Sequence, residues 1–341
     1  MKLSLVELGT VTPGTDKTQG IKDAVDAARQ AEALGYQRIW YAEHHDAGGF
    51  VCQSPEILIA LAAAATTRIR VGSGAVLLNH YSPYKVVENF LQLEALAPGR
   101  IDLGIGRATT GPVADLALRR DRNTPPVDDF AEQVQEVLAH FDRRFPADHP
   151  FALLDPTAGT PSRPEVWILG SSGNSARMAG ELGLGYVFAG FINPGAAERA
   201  LLRHRAFAKP ASPAPGILSV SAVVADTDAE AQRLNWSRTA LMTRLARTGH
   251  ASHVPTVEEA EKELSRAERE RPTVITDGRW PLQLAGSPAT VRDQIEQMTK
   301  ATGVHEVMVQ DMIADPAARA HSRSLLAQAL GVTPGPAAAS S

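Results

Sequence analysis

The sequence has a single cysteine, Cys52. That excludes an intrachain disulfide framework and any zinc or iron–sulfur centre built from several thiolates. Aromatic residues are scarce, at 5%, although apolar residues together reach 44%, enough for a sizeable core. Neither sign of charge dominates. The formal net charge of -4 provides no global field for nucleic acid or an anionic membrane, and leaves only a local basic patch open. No window of 18 residues is apolar throughout, so no transmembrane helix is expected. The opening MKLSLVELGT turns polar too soon for a signal peptide. These absences lead us to expect a soluble cytoplasmic protein in a reducing compartment.

What is present is a repeating order of apolar strand and amphipathic helix. LSLVEL (3–8) reads as a strand, and 21–36 has the 3.6-residue period of a helix ending near Gly35. RIWYAEH (38–44) is a second strand, with a helix from Pro55. A strand over 69–78, a helix over 85–99 and a strand over 100–108 follow. The pattern returns at 165–170, then as a helix from about 175, then as strands at 185–190, 216–225 and 303–310. Uninterrupted apolar strands alternating with helices indicate a buried parallel sheet.

A doubly wound sheet would carry a Gly-rich turn after the first strand, and LGTVTPGTDKTQG holds neither GxGxxG nor GxxxxGK[ST]. About eight strands suit a (β/α)₈ TIM barrel instead. We expect one domain over 1–330, with insertions around 108–163 and 228–279 and a disordered tail over 331–341. Residues 128–141 read as a helix in the first insertion. The second should hold one or two helices, its charged run at 258–272 being a solvated face. Polar residues gather just after successive strands: Glu43, His44 and His45; Asn79 and His80; Arg107; Ser171 to Ser175. Barrel active sites form at those strand ends.

Adjacent histidines on a strand point to opposite faces. Trp40, Ala42 and His44 therefore share one face, and Tyr41, Glu43 and His45 the other. A metal pair would sooner be spaced His-x-His or as the helical HExxH, so no metal site is expected. His44 is then either a structural histidine or a proton-transfer or ligand-contact group, since imidazole titrates near neutrality. Glu43 either orients a histidine or caps the loop. At 170–175, Gly-Ser-Ser-Gly-Asn-Ser between strand and helix favours an anion such as phosphate at the helix N-terminus; an ordinary cap is the alternative. Arg107 suits a bidentate contact to phosphate or a salt bridge to a neighbouring loop. The glycines at 104 and 106, and the small residues from Ser73, either leave room for a flat cofactor or serve tight packing. Cys52 reads as a small buried hydrophobe. Glu88 and Glu94 read as solvent-facing.

Taken together, LSLVELGT, WYAEHHDAG, VGSGAVLLNHYSPYKVVENFLQLEALAPGRIDLGIGRA, WILGSSGNSARMAGELGLGYVFA and GSPATVRDQI resemble the bacterial luciferase-like monooxygenase family. The resemblance covers most of 1–195 and 280–312 and implies a TIM barrel using reduced FMN, or the deazaflavin F420 in some branches. It implies that His44 is catalytic and that Arg107, Ser171, Ser172 and Ser175 contact the flavin phosphate. It also places Gly74, Ala75 and Val76 under the flavin ring. The luciferase alpha chain has a reactive cysteine just before that arginine. This sequence has Gly106 there and sits closer to non-luminescent members.

The expected activity is oxygenation of a small organic substrate by reduced FMN and O2, with a separate NAD(P)H:flavin reductase and a homodimeric assembly implied. The alternatives are F420-dependent hydride transfer, a metal-assisted barrel hydrolase, and a non-catalytic flavin-binding or partner subunit.

Overall fold

A computed structural model describes residues 1–46, 48–108, 110–209 and 214–333. β1 (Lys2–Glu7) is followed by α1 (Lys17–Leu34), β2 (Arg38–Tyr41), α2 (Pro55–Ala65) and β3 (Arg70–Ser73). β4 (Val76–Leu77), α3 (Pro83–Leu96), β5 (Ile101–Gly106), α4 (Pro112–Leu118), α5 (Phe130–Asp142) and β6 (Glu165–Gly170) come next. Then come α6 (Gly173–Leu182), β7 (Gly185–Ala189), α7 (Ala197–Phe207), β8 (Gly216–Val224) and α8 (Asp228–Thr248). The chain ends with α9 (Val257–Glu263), α10 (Arg266–Arg269), β9 (Leu284–Gly286), α11 (Pro288–Thr302), β10 (Glu306–Gln310) and α12 (Pro316–Ala329).

Eight parallel strands, β1, β2, β3, β5, β6, β7, β8 and β10, close into a barrel. The final seam pairs Val309 with Val220, and Leu3 with Val307. Helices flank the strands, as in a (β/α)₈ TIM barrel. β4 continues past β3 along β5, and β9 extends the sheet beside the end of β8. The period of two sorts the strand residues into two layers. Leu3, Leu5, Ile39, Val71 and Leu103 pack outward on Ala28, Ala62 and Phe90 of the helices. Val6, Trp40, Ala42, Trp167, Val187, Ile217 and Met308 fill the inside. Burial on both faces is why the strands are continuously apolar.

The amino end of the barrel is closed by charge. Asp102 accepts from Arg38 Nη1 at 2.7 Å, Arg70 Nε at 2.9 Å and Trp40 Nε1 at 2.8 Å. Glu306 accepts from Arg38 Nε at 2.8 Å and the Ser4 hydroxyl at 2.6 Å. The Arg38 guanidinium also lies 4.7 Å from the Trp167 ring. Gly72 makes the arrangement possible, since a Cβ there would come within 2.5 Å of the Asp102 carbonyl and 2.9 Å of Trp40 Nε1.

Some sequence expectations shift. The second strand stops at Tyr41 rather than His44, because the His44 N–H pairs with the Cys52 carbonyl at 2.8 Å. The second insertion holds three helices, α8 to α10, not one or two. Glu94 is wholly buried, not solvent-facing, and accepts from the Gly99 N–H at 2.7 Å and from the Ser162 hydroxyl. Glu88 stays partly exposed beside Lys85. In the expected tail, Val332 still donates to the Ala327 carbonyl at 2.9 Å; residues 334–341 lie outside those described.

Candidate active site

At the carboxyl ends of the strands lies a cavity of about 760 Å³, within the size range of small-molecule and cofactor sites. Its wall brings together His44 and Glu43 after β2, Gly74 and Ala75 after β3, Gly106 and Arg107 at the end of β5, and Ser171, Ser172 and Ser175 after β6. Val76, the remaining sequence-derived candidate, turns away and packs in the outer layer, and Leu77 takes its place on the wall. Asn79 and His80 are not part of the wall. The sequence reading missed Val6, Leu169, Val187, Ser219, Met308 and Gln310, which supply much of the interior surface.

His44 follows Ala42 onto the inward side, as alternation requires. Its Nδ1 lies 3.1 Å from the Ala42 carbonyl. A carbonyl only accepts, so Nδ1 carries the hydrogen, and in the neutral ring Nε2 is a bare acceptor. Burial lowers the His44 pKa below the ordinary imidazole value and favours that neutral form. Phe50 flanks the ring at 5.0 Å.

Glu43 both orients a histidine and ties the loop. Its carboxylate accepts from His45 Nε2 at 2.6 Å, the Tyr81 hydroxyl at 2.7 Å and the Leu77 N–H at 2.9 Å. The loop after β2, the end of β4 and the segment ahead of α3 are thereby fastened to one buried group. Burial, with Glu43 beside it, pushes the Tyr81 phenol well up, so it remains a donor. Burial likewise raises the Cys52 thiol, which suits a packing residue rather than a thiolate nucleophile. Among the described residues, no group of three or more His, Cys, Asp and Glu is placed to hold a metal ion.

The turn from β6 to α6 is held from behind. The Ser172 carbonyl accepts from the Ser175 hydroxyl and from Tyr186 Oη, each at 3.0 Å. Burial pushes the Tyr186 phenol up to about 12. Gly170 is required here, since a Cβ would lie 2.2 Å from Ser175 Oγ. The Ser172 side chain makes no capping bond to α6. The first-turn N–H groups of a ten-residue helix are thus left to whatever sits in the cavity.

Arg107 pairs with Asp128 of the first insertion, the loop salt bridge left open by the sequence, and its guanidinium stands 6.0 Å from the Phe130 ring. The pair is exposed, so its attraction is screened and easily exchanged. Gly106 keeps the neighbouring wall low: a Cβ there would sit 3.0 Å from that of Ala75. A helix terminus and an arginine at one edge, a floor of small residues and a neutral histidine together fit a flat, phosphate-bearing cofactor.

The family model described as luciferase-like monooxygenase matches residues 1–306. A luciferase-like monooxygenase of Escherichia coli (strain K12) is 32% identical over 325 residues, 94% of this chain and 95% of that protein. The N-acetyl-S-alkylcysteine monooxygenase of Bacillus subtilis (strain 168) is 34% identical over 312 residues, 90% of each chain. Among solved structures, apo-MsnO8 superposes with a TM-score of 0.88 at 39% identity, covering 98% of this chain and 99% of that one.

Proposed function

The chain belongs to the luciferase-like monooxygenase family, and from that premise we propose that it uses reduced FMN and O2 to oxygenate a small organic substrate. The observation that carries the reading is the cavity wall, where the uncapped start of α6, Arg107, the Gly74–Ala75 floor and His44 face one space. Bound reduced FMN supplies the electrons and the ring at which oxygen is activated. The chain supplies position and proton control.

In this reading the phosphate is held by Ser171, Ser172 and the first-turn N–H groups of α6. Arg107 exchanges Asp128 for the phosphate, a charge-assisted contact. Gly74 and Ala75 support the ring, and Val76 anchors that segment to the outer core. His44 accepts a hydrogen bond or a proton at Nε2. Because burial keeps the ring neutral, it is ready to do so throughout the neutral range. Val6, Leu169, Val187 and Met308 line the interior with apolar surface and limit bulk water.

The reduced cofactor comes from a separate NAD(P)H:flavin reductase. A homodimer would have the exposed Ile57 and Leu61 of α2 and Leu96 of α3 to bury. Among the described residues, no helix is long and apolar enough to cross a membrane. The first substrates to test are N-acetyl-S-alkylcysteines, named for the Bacillus relative. The test is oxygen uptake with a flavin reductase, FMN and NAD(P)H, for the native chain and His44→Ala. Substrate-dependent uptake that His44→Ala loses, at unchanged flavin affinity, supports the reading. Unchanged turnover in the variant contradicts the role of His44.

A further inference from the structure

One side chain of the cavity wall is polar, enclosed and without a partner. Gln310 lines the cavity, is 5% exposed, and its amide oxygen Oε1 meets no donor among the described residues. Strand alternation gives its direction. Met308 belongs to the inner cluster, and two residues further along β10 the side chain faces the same way. Asp311, the next residue, turns to Arg323 of α12 instead. Ser221, the register partner on β8, has an enclosed hydroxyl that is itself unpaired, so it does not donate to Gln310. An enclosed amide oxygen without a hydrogen bond is costly to the fold. A donor brought into the cavity removes that cost.

The wall beside Gln310 leads back to the floor of small residues. On β1, Val6 is the register partner of Gln310 and also belongs to the inner cluster. Val6 in turn lies against Gly74, where a Cβ would come within 3.1 Å of Val6 Cγ2. Ala75, Gly74, Val6 and Gln310 therefore form one continuous stretch of wall, apolar until it reaches the amide. Around the barrel, β10 is four strands from β5 in either direction. Gln310 thus faces the cavity from the side opposite Arg107. Among the described residues that β1, β8 and β10 bring to the wall, Val6, Ser219, Met308 and Gln310, none is charged.

We propose that Gln310 pairs with the imide edge of the flavin ring, the N3–H flanked by two carbonyl oxygens, and so fixes which end of the ring meets β10. A ring supported by Gly74 and Ala75 and passing Val6 brings one of its ends to Gln310. The two ends differ in kind. The dimethylbenzene end has no hydrogen to donate and would seal off the amide oxygen unpaired. The imide end presents a donor beside an acceptor, and a primary amide carries the matching acceptor and donor. Glutamine and asparagine read the edge of adenine by the same pairing. The uncharged surroundings suit a neutral edge, whereas the α6 terminus and Arg107 suit the phosphate across the cavity. The inference rests on the reading of this cavity as a flavin site, but not on the reaction that the flavin then performs.

The test is a binding titration with oxidised FMN, whose ring has N3–H as its one N–H, against 3-methyl-FMN, in which a methyl group replaces that hydrogen. The native chain should bind FMN about tenfold or more tighter than 3-methyl-FMN. Gln310→Leu should weaken FMN about tenfold and leave 3-methyl-FMN nearly unchanged, which brings the two together. Gln310→Met, unbranched like glutamine, should do the same. Both variants should melt at or above the native temperature without flavin, since each removes an enclosed polar group that has no partner. Equal binding of the two flavins by the native chain overturns the proposal and leaves the flavin site standing. So does a preference for FMN that survives in both variants. Binding of neither flavin by the native chain overturns the proposal and the flavin reading together.

Discussion

The two ends of the barrel both collect polar residues and use them in opposite ways. At the amino end, Arg38, Arg70, Asp102 and Glu306 meet one another at hydrogen-bond distance, and Trp40 and Ser4 take up remaining acceptor capacity. At the carboxyl end, the Ser172 side chain leaves the first turn of α6 uncapped, His44 Nε2 is a bare acceptor, and Gln310 Oε1 has no partner among the described residues. Charge whose partners are all internal serves the fold. The start of α6, His44 and Gln310 instead line the cavity where a ligand goes. Glu43, with three internal donors, and the Glu7–Arg323–Asp311 cluster at the ends of β1 and β10 are exceptions, carboxyl-end charges that hold segments of the site in place.

That contrast is open to attack at both ends. The largest effect is expected from Asp102→Ala, which leaves Arg38 with Glu306 alone and takes from Arg70 its buried counter-charge. Breaking a buried pair costs about 3–5 kcal/mol, read as a fall in the urea midpoint, while FMN affinity of the folded fraction holds. A loss below about 1 kcal/mol, the range of exposed pairs, would end the structural reading of the amino end. His44→Ala should behave in the reverse way. Turnover should drop about 10²–10⁴-fold, the range for a positioned acid or base, with midpoint and flavin affinity nearly unchanged.

A smaller effect is expected from Arg107→Ala. FMN should bind about tenfold more weakly, since a hydrogen bond to a charged group contributes about 1.5–3 kcal/mol and this one is screened by exposure. Riboflavin, which lacks the phosphate, should bind the variant and the native chain alike. The smallest effect is on pH dependence. Burial lowers the pKa values of His44, His80, His140 and His204 in the folded chain. The unfolded chain therefore takes up protons first as pH falls below about 6.5. Stability should be fully present above that value and decline as pH falls toward the lower folded values. None of the four belongs to the amino-end network, so thermal melts from pH 8 to 5.5 should keep this slope in Asp102→Ala.

The barrel itself was legible because both faces of its strands are buried, which writes each one as a continuous apolar run. The alternation that separated His44 from His45 also held beyond the end of β2, with Ala42 inward and His45 bonded to Glu43. The amino-end network was not legible. Arg38 finds its partners 64 and 268 residues away, and no local spacing marks such a match. Glu94 was misread for a related reason: helical periodicity cannot show that Gly99 and Ser162 bring donors to it. Arg107 was found by its strand end, but its partner Asp128 sits in an insertion with no strong pattern. The starts of α11 and α12 were missed although their signal is local, Ser287–Pro288 and Asp315–Pro316 each being a cap followed by proline at the first helical position.

The central claim is that the carboxyl end is built for reduced FMN working with oxygen. It is tested most directly by anaerobic titration of the native chain with reduced FMN, oxidised FMN and F420, followed by admission of oxygen and measurement of its uptake. The account predicts that reduced FMN binds tightest and that the complex consumes oxygen. Tight binding of F420 with no oxygen uptake would contradict it and assign the same cavity to hydride transfer.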